Sequence, residues 1–318
     1  MRGKDQNIRV GQGEFTYEWI DRWACIPDTE SGRRNGRTHG VVALDDGDVL
    51  VFNQAQPGVL RFGFDGELKN AWGDRFSGAH GMSLAWEDDG PVLWLTDQNS
   101  AEVVKTTLDG RMLLNLQRPE IPVYQGGGRF APTWVAVNEE RLGGNGDVWV
   151  TDGYGSNYIH RYSKSGAYMA SINGTEGQAG AMGCPHGIAF IPKPGGPELY
   201  VADRNHKRVQ VYDPEGQFKR CFGSDFLTSP CGFVHRDGVV YIPELQARLA
   251  ILDEHDKLIA FIGENPTAPQ TAGWPNLPAA QLLPGKFNSP HGMAVDAAGN
   301  LFVVEWIVGG RVTKLARV

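Results

Sequence analysis

Four of the chain's eight histidines stand at one place in a recurring pattern: Thr38-His39-Gly40-Val41, Ala79-His80-Gly81-Met82, Pro185-His186-Gly187-Ile188 and Pro290-His291-Gly292-Met293. Two segments share the pattern without the imidazole, Pro132-Thr133-Trp134-Val135 and Pro230-Cys231-Gly232-Phe233. A neutral imidazole offers a lone pair to a transition metal, and three on a common centre make a first shell for Zn²⁺ with a fourth position open. These residues are spread over most of the sequence. The chemistry exists only if the fold brings the repeats back to one point.

The repeat supplies such a fold. Its starts fall at 39, 80, 133, 186, 231 and 291, so successive units are 41 to 60 residues apart. Each start leads into a short apolar run, a turn and a second strand, at Val49–Asn53, 92–96, Val148–Thr151, 199–202, 239–242 and 301–304. A third strand follows, as at Arg208–Tyr212 or 158–162, then a turn such as Asp65-Gly66, Asp109-Gly110, Ser165-Gly166 or Glu215-Gly216, and a fourth strand such as Phe218–Phe222. Such turns between apolar runs are hairpin signals. Four antiparallel strands in about 40–50 residues are one propeller blade. The excess is loop, at 117–131, 173–184 and 264–288. No segment sustains helical apolar spacing.

The expected fold is therefore all-β: one six-bladed propeller over 1–318. The last unit ends after its third strand, 311–318, while 15–24 is strand-like and has no blade of its own. That run closes the last blade and hides a sheet edge. Residues 1–14 are left as a flexible N-terminal segment.

In this architecture the His-Gly dipeptides open the innermost strands. His80, His186 and His291 belong to blades two, four and six, and converge on the axis with near three-fold geometry. His39 breaks the alternation, and Cys231 shares the position as a further ligand or a small buried residue. An architectural reading stands beside the metal one, with each imidazole bonding a neighbouring carbonyl. His160, His206, His235 and His255 fall in outer strands or turns, as solvated or structural residues. On the same face, strand two is followed by Asp97, by Asp152-Gly153-Tyr154 and by Asp203-Arg204-Asn205, and elsewhere by Glu244 and Glu305. The aspartates read as turn anchors. Tyr154 can serve as a base beside a metal, and Arg204 can hold a carboxylate or a developing oxyanion. Glu244 and Glu305 are further acid or base candidates, with rim ion pairing the alternative.

Composition narrows the partners. Thirty basic against 37 acidic residues give a net charge of −7, with no basic run; nucleic acid and anionic membranes are not expected partners. A small-molecule substrate and a monomer or weak oligomer are expected. Residues 1–10 lack the apolar core of a signal peptide, which points to the cytoplasm; a leader removed earlier would read the same way. The four cysteines form no CxxC pair and are expected as reduced thiols.

From about residue 41 to the C-terminus the chain resembles the NHL-repeat six-bladed propellers and, among them, the peptidyl-α-hydroxyglycine α-amidating lyases. The resemblance rests on Ala79-His80-Gly81-Met82-Ser83-Leu84, Val150-Thr151-Asp152-Gly153-Tyr154, Pro185-His186-Gly187-Ile188-Ala189, Val201-Ala202-Asp203-Arg204 and Ser289-Pro290-His291-Gly292. It implies a catalytic zinc on His80, His186 and His291, Tyr154 as base and Arg204 in the active site. The chain also departs from that family. Asn53-Gln54 stands where the lyases carry a second active-site arginine. Gly292 stands where an aspartate helps bind a structural calcium, and Gly155 where a cysteine forms a disulfide. The metal site is kept, and the substrate site, with Gln54, is altered.

The resulting expectation is a zinc-dependent lyase, or one using another divalent transition metal, that breaks a carbon–heteroatom bond in a small hydroxylated or carbonyl substrate. His39, Gln54, Cys231, Glu244 and Glu305 complete the list of candidate site residues. Two rivals share the fold: a metal-dependent hydrolase or lactonase, and a non-catalytic NHL interaction propeller. Calcium enzymes of the first kind use oxygen ligands, so the imidazoles count against that version.

Overall fold

The second strands read as near-continuous apolar runs, which suits strands covered on both faces. Val49–Asn53, Val148–Thr151 and Leu301–Glu305 are indeed buried throughout. In the computed structural model, which describes residues 8–318, these strands belong to six antiparallel sheets arranged as a propeller. Blade 1 runs outward through Thr38–Ala43, Val49–Asn53, Val59–Phe62 and Leu68–Trp72. Blade 2 is Ala79–Glu87, Gly90–Asp97, Glu102–Thr106 and Met112–Asn115; blade 3 is Trp134–Val137, Val148–Thr151, Ile159–Tyr162 and Tyr168–Ile172. Blade 4 is Pro185–Ile191, Glu198–Asp203, Arg208–Tyr212 and Phe218–Phe222; blade 5 is Val234–Arg236, Val239–Glu244, Arg248–Leu252 and Leu258–Ile262.

The core is divided rather than central. An apolar cluster fills each junction between neighbouring blades, for example Phe52, Phe76, Met82 and Leu95 between blades 1 and 2, and Trp149, Ile188, Val201 and Tyr212 between blades 3 and 4. The hairpin turns take the form the sequence requires: Gly66, Gly110, Gly166 and Gly216 all sit at φ between 82° and 93°, a region that costs an L-residue steric strain. Two short helices, Glu30–Asn35 and Pro122–Gln125, lie in the loops.

Blade 6 has three strands of its own, Pro290–Val295, Leu301–Glu305 and Val312–Arg317, and Tyr17–Ala24 adds the outer one. Tyr17 pairs with Arg317 and Ala24 with Val312. Phe15 belongs to a 3₁₀ turn instead of the strand. Of the N-terminal segment, residues 1–7 lie outside the described residues, and Arg9–Val10 pair with Tyr17 and Glu18 as a further short strand. Arg311 pins the closure. Its fully buried guanidinium bonds Asp21 of the outer strand at 2.5 Å, Glu305 at 3.0 Å, and the carbonyls of Leu283 and Lys286.

The acidic residues that end strand two all perform one task. Asp97 accepts from the amide of Gly78, Asp152 from Ala131, Asp203 from Gly183, Glu244 from Ser229 and Glu305 from Ser289, at 2.6–3.1 Å. Each ties down the loop that delivers strand one, and so fixes where the axial residues stand. Glu244 and Glu305, candidates for acid–base work from the sequence, belong to this ring. Their other oxygens bond Arg248 at 2.7 Å and Arg311 at 3.0 Å.

Candidate metal centre

Why histidine is followed by glycine is visible at the axis. His80 Nδ1 lies 2.7 Å from the carbonyl oxygen of Thr133, His186 Nδ1 2.7 Å from that of Cys231, and His291 Nδ1 3.1 Å from that of His39. Each acceptor is the residue at the equivalent position in the next blade. A Cβ placed on Gly81, Gly187 or Gly292 would stand 2.2–2.4 Å from that same oxygen, far inside contact distance. Glycine lets the neighbouring carbonyl approach, and the carbonyl then orients the ring.

The consequence is chemical. A carbonyl only accepts, so Nδ1 carries the proton and Nε2 holds the lone pair. Burial drives all of these imidazoles toward the neutral form: His80 falls to about 3, and His39, His186 and His291 lie well below the ordinary value. The three rings of the even blades are mutually 4.8 Å apart, centroid to centroid. His39 joins them, 4.8 Å from His80 and 4.5 Å from His291, but its Nδ1 faces the carbonyl of Arg37 in its own blade at 3.3 Å. It therefore lies outside the three-fold scheme, while remaining in the cluster.

Tyr154 occupies the space between. Its hydroxyl lies 3.3 Å from His80 Nε2, 3.1 Å from His186 Nε2, and accepts from the Arg204 guanidinium at 3.2 Å. Burial pushes this phenol up to about 12 against the pull of Arg204. His291 Nε2 is buried and has no hydrogen-bond partner. The potential ligand atoms fall into two groups, His39–His80–His291 and His186–Cys231–His291, each closed to within 4.8 Å. An orphaned lone pair, neutral imidazoles held by Nδ1, and a thiol in the same group are the donor chemistry of a zinc site. The residues fit such an ion.

Three residues escaped the sequence reading. Trp134 forms the floor, with its ring 6.2, 6.4 and 6.3 Å from those of His80, His186 and His291. It separates the imidazoles from an apolar cavity of about 430 Å³ lined by strand-one residues such as Val42, Leu84 and Phe190. The signal was present: Trp134 stands where the other five repeats have glycine. Arg37 is the second. It lies over Trp306, bonds Asn35, and its buried Nε has no partner. The third is Tyr124, whose hydroxyl lies 2.8 Å from Asp152 and 2.7 Å from His160 Nε2. His160 is thereby a buried structural residue. Gln54 is buried near Asn35, to which its side chain is joined at 3.4 Å. The 264–288 loop is fastened to blade 6 through Asn276, which accepts from Val308 N, and closed on itself by Trp274, which donates to Asn288 O. All four cysteines are unpaired.

Asp152, two residues before Tyr154, gives a pH test of this scaffold. Burial raises its carboxyl to about 6, outweighing bonds from Ala131 N, Ser156 N and Tyr124. The folded state then binds a proton more readily than the unfolded chain. The stability this group contributes is full below the unfolded value and is lost as pH rises through about 6. Denaturant unfolding of wild type and Asp152→Asn should show the wild type losing about 2 kcal/mol relative to the variant between pH 4 and pH 7. A difference independent of pH would contradict the shift.

Comparison with known proteins bears on this geometry. No protein-family model matches the chain. A probable peptidyl-α-hydroxyglycine α-amidating lyase of Caenorhabditis elegans is 29% identical over 136 residues, 42% of this chain and 36% of that protein. Peptidyl-α-hydroxyglycine α-amidating lyase 1 of Drosophila melanogaster is 26% identical over 263 residues, 76% of this chain and 45% of that protein. The chain thus spans less than half the length of these curated relatives. Among solved structures, a gluconolactonase from Xanthomonas campestris superposes with a TM-score of 0.64 at 14% identity, covering 98% of this chain and 95% of that one. A streptogramin B lyase superposes at 0.59 and 12% identity, covering 98% and 99%. At such identities the structures speak for the fold alone. The chain is a six-bladed β-propeller of NHL-like form whose curated relatives, at modest identity, carry the name of the α-amidating lyases.

Proposed function

We propose that the protein is a metal-dependent lyase of the amidating-lyase type, acting on a small hydroxylated substrate that carries a carboxylate. The observation that carries the proposal is the convergence of His80, His186 and His291 with Tyr154 and Arg204 at its centre. Zn²⁺ held by the three Nε2 atoms would supply a Lewis acid that lowers the pKa of a substrate hydroxyl. The chain's own groups do the rest. Tyr154 would act as the phenolate, the form that a bound cation and the Arg204 guanidinium both favour, its own proton having left to solvent when the ion binds, and accepts the hydroxyl proton at its phenolic oxygen. Arg204, already bonded to that oxygen, steadies the negative charge. As the carbon–oxygen double bond forms, the carbon–heteroatom bond breaks, and the departing atom takes up the proton from Tyr154. Trp134 closes the floor and keeps water from entering along the axis.

The carboxylate follows from charge. The chain's other half-buried arginines have acidic partners: Arg61 with Asp48, Arg161 with Asp147, Arg220 with Asp256 and Arg248 with Glu244, at 2.6–2.7 Å. Arg204 and Arg37 have none among the described residues. Two guanidiniums without counter-ions beside neutral imidazoles favour an anionic ligand. Arg37, reaching in ahead of strand one, offers the positive charge that Asn53-Gln54 lacks.

The test is elemental analysis of the purified protein followed by assay of zinc-loaded enzyme on a panel of N-acyl-α-hydroxyglycines and lactones. Cleavage of the hydroxyglycines with release of the amide is the expected result. Turnover of lactones alone would replace this reading with hydrolysis, and absence of any bound metal would move the weight to an interaction protein.

A further inference from the structure

The innermost position of blade 5 holds a thiol where blades 1, 2, 4 and 6 hold imidazole. Cys231 is fully buried. Its sulfur lies 3.6 Å from the carbonyl of Ser229 and also meets the Arg204 guanidinium and the Leu245 amide. It lies within 4.8 Å of ligand nitrogens of both His186 and His291, whose Nε2 is the one without a partner. The remaining blade, blade 3, holds Thr133, whose hydroxyl is engaged with Thr151 and the Pro185 carbonyl. Of the two axial side chains with no role so far, His39 and Cys231, only Cys231 also neighbours Arg204.

We infer that Cys231 is itself a metal ligand, binding as a thiolate beside His186 and His291. The inference rests on the metal site proposed above and adds to it. Three features converge on it. Imidazole nitrogen and thiolate sulfur are the donors zinc takes in proteins, and with three imidazoles and one thiolate the ion would admit a substrate hydroxyl by expanding to five donors. The thiol proton is released to solvent on binding, because the thiolate is the form that ligates. The negative sulfur then gives Arg204, which lacks a carboxylate, a counter-charge at the wall of the site. Cys184, the other buried thiol beside Arg204, belongs to neither group of potential ligands, so the assignment is specific to Cys231. The carbonyl of Cys231 orients His186 through the backbone, and a side-chain replacement leaves that bond in place.

X-ray absorption at the zinc edge of the reconstituted protein tests this directly, with no activity measurement. The expected result is one sulfur scatterer at about 2.3 Å with nitrogen scatterers at about 2.0–2.1 Å. The sulfur is lost in both Cys231→Ala and Cys231→Ser while zinc is retained, and persists in Cys184→Ala. Cobalt substitution gives an independent reading: a sulfur-to-metal charge-transfer band present in wild type and absent from Cys231→Ser. Zinc bound by nitrogen and oxygen alone in the wild type overturns the inference while leaving the histidine site standing. A sulfur shell that vanishes in Cys184→Ala and survives in Cys231→Ala overturns it as well. No zinc bound at all removes both the inference and the reading on which it rests.

Discussion

His186→Ala is expected to take the protein from about one bound transition-metal ion per chain to a trace, and to abolish turnover with it. The change deletes two functions at once. Nε2 is lost as a donor, and the Cys231 carbonyl loses the partner that sits 2.7 Å away. A buried acceptor left unsatisfied costs about 1–3 kcal/mol, so a loss of metal through general loosening must be separated from loss of the ligand. His186→Asn does this. Its amide N–H takes the place of Nδ1–H against the carbonyl, and nothing takes the place of Nε2. Metal content measured on both variants, beside their thermal midpoints, decides the matter. A stable Asn variant without metal identifies His186 as a ligand. Full metal occupancy in that variant would remove it from the set.

Tyr154→Phe is expected to behave in the opposite way. The phenol is a candidate base, within reach of two imidazoles and bonded by Arg204. The variant should keep its metal, and kcat should fall by about 10²–10⁴-fold, the usual worth of a positioned acid–base group. KM should change little, because the hydroxyl is asked to move a proton rather than to hold substrate. The ring also packs on His80, with centroids 5.0 Å apart, and phenylalanine preserves that contact. A rise in KM at unchanged kcat would make Tyr154 a binding residue and return the base role to another group. Loss of metal in this variant would show that the phenol shapes the ligand shell.

The two experiments draw on different kinds of legibility in the sequence. The histidine trio could be read because a ring converts position in a repeat into position in space; residues 80, 186 and 291 had to meet once the blades were counted. The orienting partner was not legible. That each imidazole bonds the carbonyl of the next blade's equivalent residue depends on how closely blades approach, and only the glycine after each histidine hinted at it. Glu244 and Glu305 show the reverse difficulty. A carboxylate at the end of strand two looks the same in sequence whether it faces a substrate or two backbone amides, and here the loops that deliver strand one claim it. Arg37 had no counterpart in other repeats, so periodicity could not single it out. Tyr124 and His160 are distant in sequence and meet over Asp152 because the 117–131 loop folds back on blade 3.

The join between Tyr17–Ala24 and Val312–Arg317 has a meaning for how the molecule comes into being. On the ribosome the outer strand of blade 6 is made long before its partner. Blades 1 to 5 can assemble as they emerge, since their contacts are local, while Tyr17, Trp19 and Trp23 stay without their sheet until Val312–Arg317 has been made. Pairings between such distant segments carry the largest loop-closure cost and form late. His291 sits in the blade that this event completes. The axial cluster is therefore completed only once blade 6 has formed, and a metal held by all of its residues binds a closed ring. Because a ligand bound solely by the native state stabilises it by mass action, loading would then act as a latch on a ring that has already closed.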